Sequence, residues 1–96
     1  MMSANQALAK EVETLLNTVE QALERQEWPL ANVLLKRGLD SLSDRYTASN
    51  SIDDSGMKLV LADAEEKKGN LQTSAQIRHS VLASRLSLFV SMQYPN

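Results

Sequence analysis

The sequence predicts an all-α fold, an antiparallel bundle of three to four helices in a single domain over 1–96, and three observations carry that expectation. Apolar residues recur at alternating spacings of three and four, which is the period of one helix face. The chain is 43% apolar but only 4% aromatic, so its core must be built from Leu, Val, Ile, Ala and Met. Leu and Ala among these favour helix. Its two prolines and three glycines fall mainly where the periodicity changes, as corners do.

A first helix is expected over about 5–26. Leu8, Val12, Leu15, Leu16, Val19, Ala22 and Leu23 line one face, and Glu11, Glu13, Glu20 and Glu24 sit on the other. Ser3 or Asn5 can cap its start through a side-chain oxygen. The second helix is expected over 29–47. Pro29 lacks an N–H and has a fixed φ, so it suits a first helical turn, and it disfavours helical geometry at Trp28. Leu30, Val33, Leu34, Leu35, Leu39, Leu42 and Tyr46 give this helix a wide apolar stripe. Gly38 lies inside it and lowers its stability by up to about 1 kcal/mol against Ala, which points to close approach by a neighbouring helix.

Residues 47–56, TASNSIDDSG, read as a Ser/Asp-rich loop, with Ser51 and Asp54 spaced to cap the next helix. That short third helix, over 52–68, is expected to pack through Met57, Val60, Leu61 and Ala64. Lys67 and Lys68 suit its carbonyl end, and Gly69 its left-handed terminator. Asn70 can cap a fourth helix over 70–92. Its apolar residues at 77, 81, 82, 86, 88, 89, 90 and 92 spread around most of the circumference. Such a helix is either central in the domain or covered by another molecule. Arg78 and Arg85, seven apart, would leave it a narrow cationic strip.

Composition removes several function classes. With no cysteine there is no disulfide and no thiolate metal site, and one histidine, His79, does not make a zinc site. The net charge of −2 and the lack of a basic run argue against a nucleic-acid partner. No apolar stretch approaches the ~20 residues of a membrane span, and the first ten residues lack a signal-peptide pattern, so a cytoplasmic protein is expected. There is no Gly-rich phosphate loop and no HExxH, so no cofactor is expected. Asp53 and Asp54 read as helix-start acids favoured by the dipole. Glu65 and Glu66 beside Lys67 and Lys68 read as a solvated face with i,i+3 pairs. His79, next to Arg78 with no acid nearby in sequence, reads as a boundary residue rather than a general base. The helical chorismate mutases, small all-α enzymes that grip a dicarboxylate with Arg and Lys, offer one comparison for Arg37, Arg45, Arg78 and Arg85. Helix one here has only Lys10 and Arg25 as cations, neither in mid-helix on the apolar face. No enzyme activity and no catalytic residue are expected.

What remains is apolar surface for a protein partner. The candidate partner-binding residues are Trp28 and Leu34 at the first corner, and Leu82, Leu86, Phe89 and Val90 on the fourth helix. The fourth helix can be clamped in the groove between the first two, or it can be an interface to a client or to a second copy in a homodimer.

Two resemblances bear on that choice. The corner ALERQEWPLANVLLKRGL, with Ala31 after Trp28, and the later stretch with Leu71 and Ser74 resemble tetratricopeptide hairpins. That likeness implies an interaction adaptor with a groove lined by residues such as Asn32 and Lys36. VETLLNTVEQALERQEWPLANVLLKRGLDSL also resembles the FliT family of flagellar export chaperones, which are small, acidic, cysteine-poor helical proteins. The family shows an Arg-Gly-Glu-Trp type of corner, where this chain has Arg25-Gln26-Glu27-Trp28. That resemblance implies a chaperone that holds an aggregation-prone helix of a client before export and meets an export-apparatus protein. It also implies a last helix that can act as a lid.

Overall fold

The computed structural model describes residues 3–47 and 55–93, in which four helices form: α1 Ala4–Glu24, α2 Trp28–Thr47, α3 Ser55–Lys67 and α4 Leu71–Gln93. The expected caps Ser51 and Asp54, and the expected start of the third helix at 52, lie outside the described residues.

Local chemistry explains each described end. Ser3 and Gln6 form a capping box: the Ser3 hydroxyl accepts from the Gln6 N–H at 3.1 Å, and the Ser3 N–H donates to Gln6 Oε1 at 3.0 Å. At the other end of α1 the Glu27 N–H donates to Ala22 O and the Gln26 N–H to Leu23 O, the paired bonds of a Schellman turn. The same pair recurs after α3, from Asn70 to Glu65 and from Gly69 to Glu66. Gly69 has φ +89°, and its counterpart Gln26 has φ +60°. Helix α2 starts one residue before the expected Pro29. Trp28 takes the first helical position, and Pro29 the second, where its missing N–H is still surplus.

Successive helices run antiparallel, so α2 and α4 are parallel. Asn32 touches Leu71, Ser74 and Arg78, and further along α2 Gly38 faces Leu82. The approach at Gly38 is as close as its sequence position suggests. A methyl there would lie 2.6 Å from Leu82 Cδ2 and 3.2 Å from Leu15 Cδ2.

Helix α4 is the centre of the molecule. It packs against α1, α2 and α3, while α1 also packs against α2, and among the described residues α3 lies along α4 and reaches α2 through the Lys36–Glu66 ion pair. The core joins Val12, Leu16 and Val19 of α1, Leu35, Leu39 and Leu42 of α2, and Val81, Leu82 and Phe89 of α4. The apolar residues that ring α4 are explained by its three neighbours.

Candidate functional site

Helix α3 departs from the sequence expectation. The stripe expected to pack inward points to solvent: Met57 is 78% exposed, Val60 69% and Leu61 50%, with Ala64 half-exposed one turn on. These residues fall at i, i+3, i+4 and i+7, so they form one continuous ridge. The face turned towards α4 is mostly polar. It carries Ser55, Asp63 and Glu66, with only Ala62 fully buried and Leu59 partly so.

Beneath that polar face lies Arg78. Its side chain is buried, at 2% exposure, two turns into α4. A guanidinium cannot lose its proton, and burying it without partners costs several kcal/mol. Here Nη2 donates to Asp63 Oδ1 at 2.5 Å, and Nη1 donates to Glu66 Oε1 and, at 2.8 Å, to Asn32 Oδ1. Both carboxylates come from α3, whose acidic side faces inward while its apolar stripe faces out. The cationic strip expected from Arg78 and Arg85 is corrected accordingly: Arg78 is paired inside, and Arg85 donates to Ser55 Oγ at 3.0 Å.

Asn32 completes the cluster. Its amide N–H groups donate to Trp28 O and Leu71 O at 3.0 and 3.1 Å, and its oxygen accepts from Ser74 and Arg78. All four hydrogen-bonding positions of the amide are thereby used. The groove wall expected at Asn32 is therefore not formed: Asn32 is buried beneath α4, and Lys36 pairs with Glu66 at 3.0 Å. The Glu65 and Glu66 pair also divides. Glu65 makes the expected i,i+3 approach to Lys68, at 3.7 Å, whereas Glu66 faces the protein. Hydrogen bonds from Arg78 first, then Lys36, hold the Glu66 carboxyl below its ordinary pKa.

The six candidate partner-binding residues do not form one surface. Leu82 and Phe89 are buried in the core, and Leu34 and Leu86 are half-buried against it. Trp28 is half-buried and faces the α3–α4 turn, sharing a cleft with Gly69, Asn70 and Leu71. Only Val90 counts as exposed, at 37%. The physical reason is the central position of α4, which turns its surplus of apolar side chains into core. Sequence reasoning missed the exposed residues Met57, Val60 and Leu61, although their spacing was visible. Beside them Lys58, Leu61, Gln76, Ile77 and Ser80 line a shallow recess of about 340 Å³ between α3 and α4.

Among the described residues no three His, Asp or Glu side chains gather to hold a metal ion, and no helix is long and apolar enough to cross a membrane. No family model, curated protein or solved structure matches this chain.

Proposed function

We propose that this is a small helix-binding protein that holds an amphipathic helix of a partner protein on the outer face of α3, in the manner of an export chaperone. The observation that carries the reading is the exposed ridge of Met57, Val60 and Leu61, continued by the half-buried Ala64. Its i, i+3, i+4, i+7 spacing is the pattern by which one helix receives another, and the recess beside Leu61 accepts one anchoring side chain of the incoming helix. Apolar residues scattered singly on a surface need no explanation, but a ridge continuous over two turns does.

The export-chaperone class, a cytoplasmic setting and a client such as a filament-cap subunit come from the sequence resemblance to the FliT family. The lid that the family implies for its last helix is not part of this proposal. Helix α4 carries Val81, Leu82, Phe89 and Arg78, and removing it would remove the core. The binding face therefore belongs to the peripheral helix.

The test is titration of the terminal helix of a filament-cap subunit from the same genome, as a peptide, into the whole protein and into Leu61→Glu. Leu61 is half-exposed, so the variant folds. Binding is expected to weaken about tenfold or more, because a carboxylate pressed onto apolar side chains costs more than ~1.4 kcal/mol. The reading fails if no such helix binds, or if Leu61→Glu leaves binding unchanged. Concentration-dependent self-association that Leu61→Glu disperses would assign the ridge to a second copy instead.

A further inference from the structure

We propose that Arg78 is the positioning residue of this surface: its charge decides which face α3 shows to solvent, and without that charge α3 turns its apolar ridge inward. The proposal rests on the reading of that ridge as the binding face, and adds the device that keeps it presented.

Two faces of α3 compete for α4. One holds Met57, Val60, Leu61 and Ala64, the other Ser55, Leu59, Ala62, Asp63 and Glu66. Hydrophobic burial alone favours the first, since taking large apolar side chains out of water is favourable in proportion to the area removed. The structure adopts the second. What outweighs the lost burial is the compensation of a buried guanidinium. Arg78 receives its only described carboxylates from Asp63 and Glu66, and its remaining acceptor is a neutral amide oxygen. Turning α3 over would leave that charge buried and uncompensated, which costs several kcal/mol. Asp63 is largely exposed and Glu66 part-exposed, so both are rehydrated when turned into water, and the surface pair of Glu66 with Lys36 that would break contributes little.

The attachment of α3 makes such a rotation feasible. It buries one small side chain fully, Ala62, lies along α4, and is tied to α2 by the surface ion pair of Glu66 with Lys36. A helix held by ion pairs to Arg78 and Lys36, with its richer apolar face outside, is a local conflict between pattern and fold. Such conflicts are expected at functional sites.

The chain contains no cysteine, so single-cysteine labelling can read the orientation directly, without any partner. Val60→Cys and Ala62→Cys are compared for their rate of reaction with a maleimide in the full chain. With Arg78 present, position 60 is expected to react about tenfold faster or more, since position 62 is reached only by local opening. In the Arg78→Met background the ranking is expected to invert. Arg78→Lys, which keeps a cation, is expected to retain the original ranking. Arg78→Gln, neutral but able to hydrogen-bond, gives the same inversion and covers the case in which Arg78→Met does not fold. An unchanged ranking in both neutral variants overturns the proposal. So does fast reaction at both positions, which would mean that α3 lets go rather than turns. Failure of the partner titration would leave these labelling rates unaffected, so the two ideas fail separately.

Discussion

Gln26 carries a conformation that its side chain does not favour. At φ +60° it occupies the position that Gly69 fills in the matching turn after α3. A left-handed backbone costs a residue with a Cβ about 1–2 kcal/mol, and part of that returns as reduced freedom in the unfolded chain. Gln26→Gly is therefore expected to stabilise the protein by about 0.5–1 kcal/mol, seen as a rise in Tm of a few degrees. A lower Tm would show that the Gln26 side chain contributes something beyond the turn. Glu66 predicts the pH response. Its folded pKa is depressed, so its contribution is present above the ordinary glutamate value of 4.5 and is lost as pH falls through the folded value. Thermal stability is expected to fall as pH drops below about 4.5, and Glu66→Gln should flatten that dependence. An equally steep acid transition in Glu66→Gln would remove the Arg78 cluster from the explanation. Ser3 and Gly69 were legible from sequence because their roles are local, a cap and a left-handed turn, and Gly38 because a glycine inside a helix itself marks a close approach, although the side chains it meets, Leu15 and Leu82, are distant in sequence. The role of Arg78 was not, because its partners lie 12, 15 and 46 residues away.

At the level of elements, the helices themselves were legible within a few residues, since apolar period and capping chemistry act within one segment. The centrality of α4 was also partly legible, because a helix apolar on most sides must be enclosed. The orientation of α3 was not. Pattern reading assumes that the apolar face packs inward, and here a buried charge on another helix reverses the outcome. The two helices accordingly differ in what their removal does. A chain ending at Val81 loses Leu82 and Phe89, both fully buried in the core. Core losses of that kind remove about 3–5 kcal/mol each, comparable to the total stability of a domain this size. The truncated chain is expected to lose most of its helical far-UV circular dichroism. If it stays folded and gains affinity for a client helix, α4 is a lid after all.

On the scale of the whole molecule, the fold separates a stable centre from a presented face. Helices α1, α2 and α4 share one apolar core, pinned at the α2–α4 contact by Asn32 and the closely packed Gly38. Helix α3 lies at the edge of that core, touching it through Leu59, and offers the largest described run of exposed apolar side chains. A protein arranged this way can bind a partner helix without opening its core. The central claim, that α3 rather than α4 receives the partner, is tested most directly by following backbone amide resonances of the full chain during the client-helix titration. The account predicts shifts concentrated at 57–64 and at 76–80, with the amides of α1 and of Leu82 to Phe89 unmoved. Shifts centred on 82–90, with α4 losing its exchange protection as the helix binds, would contradict it.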